Sequence, residues 1–251
     1  APVNAITKVP SAPDASKNYG ISGLAKESEG YIFALNHEQK FADDWKWFAN
    51  AGYNHNKLMR NIIGASSNFV IINDAGDIKN NLMSTQTVTK NYYAQVGING
   101  KLHTGDVEHD ITLALDKAWH SIKGAKKMYN DGSMGSVAGN LYSGIYGVNV
   151  WYPAIQPGLS SKDQYWGASI ADTMKYGKSQ LLLGLHKHSA SVDGYNKITE
   201  KVTSHVDSNA VCPTYGFIYK PIEQLSLYAS HSENFDKGTV VSGTYENGGS
   251  I

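Results

Sequence analysis

Cysteine occurs once, as Cys212, so this chain can build neither a disulfide framework nor a thiolate zinc site. Charge is scarce. Only 18% of residues are charged, against about a quarter in typical soluble domains, and 22 Lys+Arg cancel 22 Asp+Glu. With no basic excess to offset phosphate charge, nucleic-acid binding is excluded as a main role. Long apolar runs are missing too. The longest, such as 69–72 and 181–185, fall far short of the roughly 20 residues a membrane-spanning helix needs. Ala1-Pro2-Val3 carries no charged-then-apolar leader, and no Asn-x-Ser/Thr acceptor occurs. Proline is sparse, with seven residues, whereas glycine (25) and tyrosine (16) are abundant. A Tyr-, Gly- and Asn-rich chain with few charges and 41% apolar residues points to an ordered β-rich protein outside the cytosol. Both an outer-membrane barrel and a secreted β-sandwich have that composition.

Period-2 alternation recurs along the chain. Tyr31, Phe33, Leu35 and Phe41 alternate with Ala34, Asn36, Glu38 and Lys40, and a short turn leads to Trp45, Trp47, Ala49 and Tyr53. Val96, Ile98 and Leu102, then Ile111, Leu113 and Leu115, flank Thr104-Gly105-Asp106. Trp166, Ala168 and Ile170, then Leu181, Leu183 and Leu185, flank Gly177-Lys178. Tyr215, Phe217 and Tyr219, then Leu225, Leu227 and Ala229, flank Pro221-Ile222-Glu223. Eight strands in four hairpins result. Residues 111–128 also fit a helical spacing, but the alternation after Thr104-Gly105-Asp106 favours a strand.

Short turns near 43, 105, 177 and 222 alternate with long polar segments at about 60–80, 124–162, 194–208 and beyond 235. Outer-membrane barrels join their strands in this way, so the four short turns are expected at one end. The expected fold class is all-β, an antiparallel up-and-down transmembrane β-barrel. Val96, Ile98, Ile111, Leu113, Leu181, Leu183 and Leu185 should face lipid, with Leu183 near mid-membrane. Gln95, Asn99, Asp110, Gln180 and Gly184 should face the lumen. Trp45, Trp47, Tyr176 and Tyr219 are expected in the aromatic girdle near the short turns.

A resemblance carries the reading further. The stretch Gly216-Phe-Ile-Tyr-Lys-Pro-Ile-Glu-Gln-Leu-Ser-Leu-Tyr-Ala-Ser-His-Ser-Glu-Asn-Phe235, continued by Val240-Val-Ser-Gly-Thr-Tyr245, resembles a signature stretch of TonB-dependent siderophore receptors. Gly100-Lys-Leu-His-Thr-Gly-Asp-Val-Glu-His-Asp110 is similar to a hairpin of that family. So is Asn36-His-Glu-Gln-Lys-Phe-Ala-Asp-Asp-Trp45, and Val9-Pro-Ser-Ala-Pro-Asp14 looks like the outer loop before it. The matches keep the family's order over residues 9–245.

The resemblance implies a barrel of about 22 strands with a plugged lumen, of which residues 1–251 would supply about eight; the plug domain and the other strands are not found here. It further implies a bacterial outer-membrane receptor, not an enzyme. Its partners would be a ferric siderophore, TonB acting through the plug, and outer-membrane lipid. No resident cofactor is implied, the ferric siderophore being cargo. A small or medium porin-like barrel and a secreted glycan-binding β-sandwich are the alternatives.

The candidate sites are few. Tyr142, Tyr146, Trp151 and Tyr152 cluster in the 124–162 segment. They are read either as interfacial aromatics or as ligand contacts whose flat rings pack on a ferric chelate. His186-Lys187-His188 places two imidazoles on one strand face, but no third metal ligand lies nearby, so polar strand-end residues are expected. Asn73-Asp74-Ala75-Gly76-Asp77 lacks the glutamate of a calcium loop and reads as a turn at a loop tip. No Gly-x-Ser-x-Gly elbow occurs, and Cys212 has no activating neighbours in sequence.

Overall fold

A computed structural model describes residues 7, 9, 11–16, 24–63, 69–127, 136–143, 146–148 and 154–237. The strands are β1 (Ala25–Ala42), β2 (Trp45–Ile63), β3 (Phe69–Ile71), β4 (Asp77–Thr104), β5 (Val107–Ala125), β6 (Ser136–Asn140), β7 (Tyr146–Val148), β8 (Pro157–Tyr176), β9 (Ser179–Tyr195), β10 (Val202–Ile222) and β11 (Leu225–Ser232). Eight of them form one antiparallel wall in the order β1-β2-β4-β5-β8-β9-β10-β11. The helical spacing of 111–128 does not prevail, since β5 pairs on both sides, with β4 and with β8. Among the described residues, β1 pairs only with β2 and β11 only with β10, so the wall is an open section, not a closed barrel.

The four expected turns are the four tight hairpin loops, and they lie at one end. Backbone hydrogen bonds from Lys101 N to Asp44 O (3.0 Å) and from Lys220 N to Lys178 O (2.9 Å) tie neighbouring hairpin bases together. Gly105 and Gly177 take φ of +61° and +54°, the left-handed first position that a two-residue hairpin loop favours. The other two loops, 43–44 and 223–224, have no glycine. There the ladder shifts register just before the turn, at Lys40/Ala42 and at Tyr219/Ile222, so a bulge supplies the twist that glycine supplies elsewhere.

The wall strands run from 17 to 28 residues apart from β11, well beyond the 9–11 that cross a bilayer. Segments expected as polar loops are therefore partly strand. The 194–208 connection shrinks to residues 196–201, because ladder hydrogen bonds join backbones whatever the side chains are.

The register sorts the side chains as alternation requires. Ile98 pairs with Leu113, Leu113 with Ile170 and Ile170 with Leu185, making one continuous apolar line across four strands. On this outer face Leu115, Ile170 and Leu185 are 59%, 51% and 50% exposed. The opposite face is the enclosed one. Phe48, Ala114, Asp163, Ala190, Val206 and Cys212 point there and are buried. Gln95, Asn99, Asp110, Gln180 and Gly184 share it, as the alternation predicts. Glycine makes room at one of its tightest points. A methyl group at Gly97 would overlap both the Phe48 ring and the Leu113 carbonyl oxygen.

Candidate functional site

Three short strands not foreseen from the sequence build a second, smaller sheet at the long-loop end. β3 pairs with one edge of the start of β4, β6 pairs with the other edge, and β7 adds to β6. Its hinge point is the turn Asn73–Asp77. The Asn73 side-chain oxygen accepts from the backbone N–H groups of Ala75 and Asp77, each at 3.1 Å, and Gly76 takes φ +83°. Asn140 then clamps β6 to that turn. Its amide donates to Ala75 O and Asp77 Oδ1, both at 2.9 Å, while its oxygen accepts from Tyr142 N at 2.9 Å. Asn73 donates to the second Asp77 oxygen at 2.7 Å. The two amide donors, Asn140 first, hold the Asp77 carboxyl below its usual range. The Asn-Asp-Ala-Gly-Asp segment is thus the expected loop-tip turn.

Two of the four candidate aromatics have backbone positions on this sheet or in the turn that follows β6. Tyr142 is half-buried, with its ring edge against Gly76. Tyr146 begins β7, its backbone opposite Gly139. Trp151 and Tyr152 lie outside the described residues.

A second cluster occupies the enclosed face of the wall. Asp163 of β8 is only 1% exposed. It accepts from Lys237 Nζ at 2.7 Å and Tyr165 Oη at 3.2 Å, lies 3.3 Å from His120 Nδ1, and is also bonded by Ser161. Residues 233–237 fold back over the wall after β11 and bring Lys237 to this carboxylate. Ser208 donates to the Lys237 carbonyl at 3.2 Å, and Phe235 stacks on His188 at 5.5 Å between ring centroids. His188 in turn stacks on His186 at 3.8 Å, and His186 Nε2 lies 3.5 Å from Asp116. Gly167 permits this approach, since a Cβ there would overlap His186 and Asp116. The His-Lys-His motif therefore contributes two stacked imidazoles to the inner wall. Among the described residues no group of three His, Cys, Asp or Glu is arranged to hold a metal.

Sequence reasoning did not find this cluster, because Asp163 and Lys237 are 74 residues apart. The only legible signal was the inward parity of Asp163. A buried carboxylate with one ammonium, one imidazole and two hydroxyl donors is well compensated. It anchors residues 233–237 to the inner wall.

The outer face carries two aromatic belts. Trp45, Trp47, Tyr176 and Tyr219 lie toward the tight turns, as expected from the sequence. The second belt, not foreseen, comprises Tyr31, Tyr53, Tyr92, Trp119 and Trp166. Tyr53 lies 5.8 Å from Tyr31 and 4.6 Å from Tyr92 between centroids. Ile111 to Trp119 is eight residues of strand, or about 26 Å, which a tilt near 40° reduces to about 20 Å along the normal. An apolar band of that height between two aromatic belts matches the lipid-facing surface of an outer-membrane barrel.

Comparisons with known proteins agree. The chain is 24% identical over 242 residues to the ferrichrome receptor FcuA of Yersinia enterocolitica, covering 94% of this chain and 31% of that protein. The chain thus spans about a third of the length of that relative. Among solved structures it resembles BauA, the ferric preacinetobactin receptor of Acinetobacter baumannii, at 21% identity and TM-score 0.78, covering 98% of this chain and 37% of the other. It also resembles Fiu, the ferric-catecholate import receptor of E. coli K12, at 14% identity and TM-score 0.63, with 89% and 40% covered. The family described as TonB dependent receptor-like, beta-barrel, matches residues 4–250. With its lipid-facing band, tight turns at one end and sheet-bearing loops at the other, the chain belongs to the β-barrel family of TonB-dependent receptors of the Gram-negative outer membrane.

Proposed function

We propose that these 251 residues form eight wall strands of a larger closed barrel that imports a ferric siderophore, driven by TonB through a plug encoded outside this sequence. The observation that carries the reading is the family match over 4–250, joined to a wall whose two edge strands each pair on one side only among the described residues. The porin-like and glycan-binding readings have no comparable support.

Tyr142, Tyr146, Trp151 and Tyr152 are the proposed ligand contacts. Their support is the loop sheet at the long-loop end, which carries Tyr142 and the backbone of Tyr146. Stacking aromatics in a partly wet site contribute about 0.5–1.5 kcal/mol each beyond their buried area. Losing two should therefore weaken binding about ten- to a hundredfold. The test uses the intact receptor as the sole siderophore receptor of a cell. Uptake of radiolabelled ferric hydroxamate and ferric catecholate is measured with and without TonB, and their equilibrium binding to the same cells is measured without TonB, in the parent and in Tyr146→Ala/Trp151→Ala. TonB-independent uptake would refute the transport reading. Unchanged binding affinity in the double variant would remove these aromatics from the site.

A further inference from the structure

Between the tight turns and the second aromatic belt, the outer face is almost free of charge. Among the described strand residues that point outward there, Asp172 of β8 is the one carboxylate. The only lysines are Lys117 and Lys187, both at the second belt or within one step of it. Asp172 shares a cross-strand row with Trp45, through Gly100 and Ile111, and lies four residues along β8 from Tyr176. Both aromatics belong to the lower belt. Asp172 therefore sits at the headgroup depth of the leaflet on the tight-turn side, and not in the middle of the apolar band.

Its companion is His109 of β5, which stands opposite Met174, one step nearer the turns. His109 Nδ1 lies 2.7 Å from Asp172 Oδ2. An ionised carboxylate only accepts hydrogen bonds, so Nδ1 carries the hydrogen and Nε2 is the nitrogen left to meet the membrane.

The pair is incomplete on both sides. An ionised carboxylate can accept about four hydrogen bonds, yet Asp172 has one donor and its Oδ1 has none. Among the described residues His109 Nε2 has no partner either. The neighbours on the same face, Ile111, Ile170, Met174, Leu181 and Leu183, have no side-chain hydrogen to donate. The two side chains remain 18% and 27% exposed, on the side that faces lipid. Polar groups at this depth are costly unless they are partnered, so the missing partners have to come from the membrane.

We propose that His109 and Asp172 hold the headgroup of a phospholipid of the tight-turn-side leaflet, one whose phosphate carries a primary ammonium group. The ammonium donates to the Asp172 carboxylate, and the phosphate accepts from Nε2 of protonated His109. The headgroup is a zwitterion and so is the protonated pair. Each charge meets its opposite, and no net charge is added to the apolar face. A quaternary ammonium has the charge but no N–H to donate, and a glycerol headgroup has no cation for Asp172. The acyl chains run over the apolar line Ile98–Leu113–Ile170–Leu185, the next row above the pair. The inference rests on the assignment of the lipid face, not on the transport reading or on its ligand.

The test uses the intact receptor purified in a nonionic detergent. It is titrated with phosphatidylethanolamine, phosphatidylcholine and phosphatidylglycerol of identical acyl chains, and bound lipid is counted by native mass spectrometry. One charge-assisted hydrogen bond is worth about tenfold in affinity at its lower bound. The parent should therefore hold the ethanolamine lipid about tenfold more tightly than the other two. Asp172→Asn keeps the shape without the charge and should bring the ethanolamine lipid down to their level. His109→Phe keeps a ring but no donor and should weaken all three, which share the phosphate. Asp106→Asn removes a carboxylate at a tight turn and should change nothing. The parent's ranking of the three lipids needs no variant, so a variant that fails to fold leaves the test standing. Equal binding of the three lipids by the parent, or a preference that survives Asp172→Asn, would overturn the proposal.

Discussion

Placing Arg at position 96 tests the assignment of faces most directly. Val96 lies in the apolar line Ala49–Val96–Leu115–Ala168, four residues from Tyr92 in one belt and four from Gly100, which is opposite Trp45 in the other. It is nearer mid-membrane than Leu183, which the sequence alone suggested but which sits two steps closer to the turns, in line with Asp172 and Ile111. The neighbours of Val96 on its own face are Ala49, Ala94, Ile98 and Leu115, none of which can accept a hydrogen bond from a guanidinium group. Val96→Arg should therefore cost about 2–4 kcal/mol, the penalty for a cation at the midplane of a barrel's lipid face. Gln95, the preceding residue, faces inward. Gln95→Arg loses one hydrogen bond, from Asn50 at 3.0 Å, worth about 0.5–1.5 kcal/mol. It gains the Asp116 carboxylate directly across the strand pair, so its net cost should be near zero. The assay is reversible urea unfolding of the intact receptor in lipid vesicles. The two variants should differ by about thirty- to a thousandfold in unfolding constant. Equal penalties, or a larger one at Gln95, would refute the assignment of faces and with it the membrane band.

Gly97→Ala should destabilise the barrel by about 1–3 kcal/mol through overpacking, and Phe48→Leu in the same chain should recover part of that. The overlap with the Leu113 carbonyl remains, so full recovery of the urea midpoint would contradict the packing described. Asp163→Ala strips Lys237 and His120 of their buried carboxylate and should cost about 3–5 kcal/mol. Residues 233–237 should then become accessible to protease, and an unchanged digestion pattern would show that Asp163 does not anchor them. Asp77 ionises more readily in the folded loop than in an unfolded chain. Its contribution is therefore present above its unfolded value of about 3.9 and is lost as pH falls through the lower folded value. Amide exchange at Ala75, Asp77 and Leu141 should accelerate only below about pH 4, and Asp77→Asn should abolish that step; acceleration nearer neutrality would point to another group.

Much of the wall was legible because a period of two leaves no choice of face. Once Leu181, Leu183 and Leu185 are set on one side, Gln180 and Gly184 must point to the other, whatever the neighbouring strands are. Gly105 and Gly177 likewise fixed two turns, because a two-residue hairpin loop favours a left-handed residue. The loops at 43–44 and 223–224 were harder to bound, since bulges before them leave no mark in composition. The 196–201 connection was overestimated because polar residues continue a ladder as readily as apolar ones once the strand emerges into water. The loop sheet was missed for a related reason. Its strands are three to five residues long, and Asn140 is joined to the Asn73–Asp77 turn across more than 60 residues.

The sequence by itself determined the β class, the two faces of each strand, the four tight turns and the lower aromatic belt, all of which depend on residues within a few positions of one another. The tertiary structure alone decided the cross-strand register. That register sets Tyr53 beside Tyr92, closes Lys237 onto Asp163 and presses Tyr142 against Gly76. Those contacts depend on which residue of one strand lies opposite which residue of the next. Turn geometry, bulges and backbone pairing over the whole wall fix that together, and no local pattern encodes it.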